Sequence, residues 1–154
     1  MSDNTGPEQV ARFLSRLVSE ETEDNSADGR GSWELFAPLA FYSVVLGKLI
    51  TVPVGFKTDY ASIPRLPVVF LLFDGWGNRA AVIHDWLYTT QMCTRELADR
   101  VFREALLVCG VPAWRAQAMY LGVREFGASH WPAPGQPQTP AVNAAINEAA
   151  REAA

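Results

Sequence analysis

Between residues 78 and 127 the chain is punctuated so tightly that three helices must fold back on one another. The run over 78–90 is followed by Thr94, whose hydroxyl suits the cap of a new helix. That second run stops at Gly110, a residue type that ends helices at positive φ. Pro112 then opens a third run reaching Gly127, since the first helical N–H has no partner to lose. The connection from Thr90 to Thr94 is so short that the first two helices must be antiparallel neighbours.

This packing decides which polar side chains can meet. Ala80, His84, Leu87 and Tyr88 recur at spacings of three and four, so they share one face of the first helix. Asp85 lies about 100° round from His84. On the second helix Asp99 shares a face with Phe102 and Leu106, at the border of the apolar side. An antiparallel pair therefore brings Asp99 opposite His84. A neutral imidazole whose other nitrogen is held by a carboxylate can take a proton from water. His84 is the candidate base, Asp99 its orienting group, and Tyr88 a hydroxyl donor that offsets the burial of Asp99. Asp85 is left to bind a cation, and an oxygen-rich setting favours Ca²⁺. Zn²⁺ fits less well, because His84 is the one histidine near and zinc sites favour more nitrogen or sulfur. The plainer reading is a buried polar network that fixes helix packing. An enzyme needs an open cleft at His84, whereas a packing network can be buried whole.

Before the helices, residues 33–59 are β in character. Phe41-Tyr42-Ser43-Val44-Val45 and Leu49-Ile50-Thr51-Val52 form a hairpin through Gly47-Lys48. A dense polar loop follows from Gly55 to Arg65. Nearer the start, the spacing of Val10, Phe13, Leu14 and Leu17 predicts an amphipathic helix over residues 7–19, and the stretch 20–32 reads as a flexible linker. Residues 129–138 are proline-rich, and 139–154 form an alanine-rich helix with little apolar area to bury. The expected fold is α+β: a small antiparallel β-hairpin or sheet packed on about three helices, with N- and C-terminal helical arms. One core domain is expected over 33–128.

Composition narrows the function classes. Nearly half the residues are apolar, enough to build a core without metal or disulfide staples. A net charge of -4 with scattered basic residues argues against nucleic-acid binding. Cys93 and Cys109 form neither a metal pair nor a disulfide framework and read as half-buried thiols. The first residues lack the pattern of a signal peptide, and the apolar run 66–73 is too short to span a bilayer. His130 reads as a surface residue.

The pattern His84-Asp85-Trp86-Leu87-Tyr88, with an aspartate on the following helix, resembles the core of secreted phospholipases A2. It is similar, too, to the phospholipase domains of some viral capsids. That resemblance implies a base at His84, a Ca²⁺ ligand at Asp85 and a dyad partner at Asp99. The chain departs from the pattern in lacking the family's cysteine framework and glycine-rich calcium loop, for which Asp74-Gly75-Trp76-Gly77 is the nearest substitute.

A broader resemblance covers residues 54–127. It is carried by Gly55-Phe56-Lys57-Thr58-Asp59-Tyr60-Ala61-Ser62-Ile63-Pro64-Arg65, the block from Ala80 through Tyr88, and Ala98-Asp99-Arg100-Val101-Phe102. These blocks resemble the phage and bacterial family catalogued as domain of unknown function 1353, which implies a phage or prophage origin and supplies no activity. Within this frame Asp59 is a second metal ligand or an alternative partner for the imidazole. Arg65 is a candidate for holding a carboxylate or an anionic substrate group. Thr58 and Ser62 read as loop staples, since no nucleophile elbow surrounds Ser62.

The functional expectation is a phage-encoded hydrolase that activates water at His84 and cleaves a lipid ester or cell-wall bond. The alternative is a non-enzymatic component of a phage particle whose terminal helices bind other phage structural proteins. The expected location is the host cytoplasm or the virion.

Overall fold

The structure, a computed structural model, describes residues 9–22, 32–58 and 77–133. Among the described residues six strands precede three helices: β1 Arg12–Phe13, β2 Ser19–Thr22, β3 Ser32–Leu35, β4 Leu39–Ser43, β5 Lys48–Val52, β6 Lys57–Thr58, α1 Asn78–Thr90, α2 Arg95–Val108 and α3 Ala113–Phe126. A 3-10 turn, Gly127–His130, follows α3. The strands form two antiparallel three-stranded sheets, ordered β1-β4-β5 and β2-β3-β6. The α+β architecture expected from the sequence is therefore present.

The β4–β5 hairpin forms where its alternation places it. Leu39, Phe41 and Ser43 point inward from β4, and Ile50 and Val52 point inward from β5. Phe41 pairs with Ile50, and Gly47 turns the chain at φ 65°, where a Cβ would be strained. The turn is tied to α2 by Glu104. Its carboxylate accepts from the Ser43 hydroxyl at 2.6 Å and from the amides of Val44 and Val45 at 2.9 and 3.1 Å.

The N-terminal helix over residues 7–19 is a correction. Arg12–Phe13 instead adds a strand to β4, pairing Arg12 with Tyr42 and Phe13 with Phe41. The open edge of β4 supplies backbone partners that a helix could not use: the Leu14 amide donates to the Ala40 carbonyl at 2.9 Å. Ser15 adds a second clamp, donating to the Pro38 carbonyl and accepting from the Ala40 amide. Phe13 stacks on Phe41 at 4.6 Å, while Val10 and Leu14 stay exposed, so the helical spacing buries no common face. The linker expected from residue 20 is likewise corrected over its described part, because Ser19–Thr22 pairs with Ser32–Leu35. The alanine-rich C-terminal segment lies outside the described residues.

The helices match their expected punctuation. Thr94 accepts from the Leu97 amide at the start of α2, and Gly110 follows α2 at φ 85°. Every residue of α1 from Ala80 to Tyr88 is buried. It packs against α2 and against β4 and β5, so it is the central element of the core rather than a surface helix. Around it Trp86, Phe41, Phe102, Leu39, Ile50 and Leu106 are fully buried. Each such side chain contributes roughly 1.5–3 kcal/mol of transfer free energy. Burial of α1 all round has a further effect: the polar residues it carries must find partners inside the protein.

Candidate functional site

Two adjacent polar residues of α1 face different neighbours. His84 points toward α2, where its Nε2 lies 2.8 Å from Asp99 Oδ1. Tyr88, one turn later, donates its hydroxyl to the same oxygen at 2.7 Å. Asp85 points toward the strands and accepts a hydrogen bond from the Thr58 hydroxyl of β6. The antiparallel helix pair thus brings together His84, Asp99 and Tyr88 as their spacing requires. Thr58, expected as a loop staple, makes this contact from the end of a strand, paired with Trp33 of β3.

Asp99 is the hub. Its second oxygen, Oδ2, accepts from Arg124 Nη1 at 2.8 Å and lies 3.6 Å from Arg95 Nη1. Arg95 is also spent on the end of α3, donating to the carbonyls of Val123 and Arg124 at 3.2 Å. Burial alone would push the Asp99 carboxyl up. Hydrogen bonds from His84, Tyr88 and Arg124 outweigh that push and hold it below the usual carboxylate range. An ionised Asp99 accepts only, so the hydrogen between it and His84 sits on Nε2.

His84 is itself wholly buried. Desolvation lowers its pKa from the ordinary value, overriding the hydrogen bond and charge of Asp99 that raise it, with Arg95 and His130 lowering it further. The imidazole is therefore neutral near pH 7. With its proton on Nε2, Nδ1 carries a lone pair, and that nitrogen has no hydrogen-bond partner among the described residues. The ring is pinned between Tyr88 and Phe102, with centroids 4.2 and 4.7 Å away. The Tyr88 hydroxyl is raised in pKa by burial and by Asp99, which keeps it a donor.

Other expectations fare differently. The open cleft sought at His84 is not present among the described residues, since His84 and Asp99 side chains are both 0% exposed. Asp59, Arg65, Ser62 and Asp74 lie outside the described residues. Among those described, no three His, Cys, Asp or Glu side chains converge on a metal position. Among the described residues the Asp85 carboxylate meets the Thr58 hydroxyl, a hydrogen-bond donor rather than one of the set of oxygen ligands that Ca²⁺ takes. His130 is exposed, as expected. Cys93 and Cys109 are free, and burial pushes both thiols up, away from nucleophilic character.

Three contributors to the cluster escape sequence reasoning. Arg95 carries a weak local signal, standing four residues before Asp99 on the same helix. Arg124 carries none, because its approach depends on how α3 is rotated against α2. Gly127 is the third: a Cβ there would lie 2.8 Å from the Tyr88 hydroxyl, so the chain passes Tyr88 where only hydrogen fits. Trp131 then packs edge-on against Tyr88 at 5.0 Å.

The family model described as Protein of unknown function (DUF1353) matches residues 33–123, a span that contains the hairpin, α1, α2 and most of α3. The chain belongs to the DUF1353 family. Within that match fall His84, Asp85, Tyr88, Asp99 and Thr58, and Arg124 lies one residue beyond it. Among curated proteins this DUF1353 chain is 35% identical over 103 residues to Uncharacterized protein y4jT of Sinorhizobium fredii, covering 66% of the chain and 30% of that protein. Over 73 residues it is 38% identical to Uncharacterized protein y4iH of the same organism, covering 46% of the chain and 30% of that protein. The chain thus spans under a third of the length of these relatives. No solved structure matches it significantly. No helix among the described residues is long and apolar enough to cross a membrane.

Proposed function

We propose that this DUF1353 chain is a hydrolytic unit in which His84 Nδ1 takes a proton from water while Asp99 steadies the imidazolium. The observation that carries the reading is the ring nitrogen left over: Nε2 is engaged by an ionised carboxylate, and Nδ1 has no hydrogen-bond partner among the described residues. A buried polar atom without a partner is uncommon in a network whose only task is packing. In the proposed step one water proton moves to Nδ1 and its oxygen adds to an acyl carbon. The imidazolium then returns that proton to the departing alkoxide or amine. A lipid ester is the substrate class favoured by the resemblance of His84-Asp85-Trp86-Leu87-Tyr88 to the phospholipase motif, and a cell-wall bond is the second class.

A specific observation favours a second reading. The His84 ring has no solvent exposure, which suits a packing network in a non-enzymatic unit, such as an accessory component of a phage particle. The two readings part on one experiment. Purified protein is assayed against acyl esters of increasing chain length and against peptidoglycan, with and without added Ca²⁺, beside His84→Gln. Turnover that vanishes in a His84→Gln protein of unchanged circular dichroism supports the hydrolase. Absence of turnover on all of them, with His84 Nδ1 inert to diethylpyrocarbonate in the folded state, supports the packing network.

A further inference from the structure

We infer that Arg124 is a positioning residue that sets which nitrogen of His84 carries the proton. The inference rests on the proposed role of His84 for its functional meaning, but its geometry stands alone. Asp99 has two oxygens with separate duties. Oδ1 faces His84 Nε2 at 2.8 Å and Tyr88 at 2.7 Å, and Oδ2 faces Arg124 at 2.8 Å. The plane of a carboxylate is fixed once both ends are held, so Arg124 aims Oδ1 at Nε2 from the far side.

Arg95 cannot do the same work. It stands 3.6 Å from Oδ2, beyond a hydrogen bond, and its donors are taken by the Val123 and Arg124 carbonyls. The charge on Arg124 also matters. Without it, a carboxylate buried as fully as Asp99 gains by taking up a proton. A protonated Asp99 would donate to Nε2 instead of accepting from it. The ring proton would then move to Nδ1, and the lone pair proposed to meet water would be lost. A residue 30% exposed at the surface would thereby control a nitrogen with no exposure at all.

The test is nitrogen-15 NMR of the His84 ring in the full chain, comparing wild type, Arg124→Gln, Arg124→Met and Arg124→Lys near neutral pH. In the wild type Nδ1 is expected to show a pyridine-like shift and Nε2 a pyrrole-like one. Gln and Met should move a large part of the population to the opposite tautomer, and Lys should restore most of the wild-type pattern. A wild-type pattern in folded Gln and Met proteins overturns the inference, and so does a wild-type ring protonated on Nδ1. Failure of both variants to fold would overturn it as well, by making Arg124 a prop of the fold rather than of the ring. Because the readout is a tautomer, a chain that hydrolyses nothing would refute the proposed activity and leave this inference standing.

Discussion

Asp99→Asn removes one charge from the centre of the cluster and changes almost nothing in shape. The carboxylate accepts three hydrogen bonds, from His84, Tyr88 and Arg124, and its side chain is fully buried. The amide oxygen of asparagine can keep one side of this arrangement. If it faces His84 and Tyr88, its NH₂ faces the Arg124 guanidinium, where donor meets donor. One charge-assisted bond is lost outright and two are weakened, and bonds to charged groups are worth about 1.5–3 kcal/mol each. Arg124 is partly exposed, so water recovers some of its loss. The expected net destabilisation is about 2–4 kcal/mol, below the 3–5 kcal/mol reached when a fully buried ion pair is broken. Urea unfolding at neutral pH measures it as a lower midpoint at unchanged slope. A loss under about 1 kcal/mol would refute the reasoning, because no buried carboxylate holding three donors should be replaced so cheaply.

Two further outcomes follow from the same contacts. Burial holds the His84 pKa down, so the unfolded chain takes up a proton near pH 6.5 while the folded chain does not. Stability from this group is full above about pH 6.5 and falls as the pH drops below it. His84→Gln should flatten that part of the profile, and an unchanged slope in urea midpoints between about pH 7.5 and 5.5 would count against a neutral buried imidazole. Glu104→Gln cannot serve all three donors at the β4–β5 turn and should cost about 2 kcal/mol, read as a melting temperature lower by about 5 °C. A change below about 1 °C would show that the turn does not depend on α2.

What was legible in the sequence was local. The three helices follow from Thr94, Gly110 and Pro112, and the hairpin from alternation on either side of Gly47. The His84–Asp99–Tyr88 contact follows from helical spacing plus one short turn, since those two constraints leave little freedom for the facing sides. The N-terminal strands were not legible, because Val10, Phe13, Leu14 and Leu17 satisfy a helical spacing as well as any amphipathic helix does. The deciding partner was the edge of β4, some 28 residues away at Phe41, and tertiary pairing overrode local preference. Ser19–Thr22 is harder still: Ser-Glu-Glu-Thr has no strand pattern of its own and is recruited by β3.

The depth of the cluster was the other feature hidden from the sequence, and it has a single cause. Helical spacing sets Asp85 about 100° round from His84 but does not say whether either direction meets solvent. The helix is enclosed on every side from Ala80 to Tyr88, because β4 and β5 cover the face that α2 leaves open. Two neighbouring polar residues on an enclosed helix cannot both turn to water, so each is drawn to a separate internal partner, Asp99 on α2 and Thr58 on β6. Enclosure therefore explains both the close dyad and the low pKa of its imidazole. Among the described residues it also leaves His84 Nδ1, like the neighbouring Trp86 Nε1, buried without a hydrogen-bond partner, and that unmet demand is the cost of enclosing a polar ring on every side.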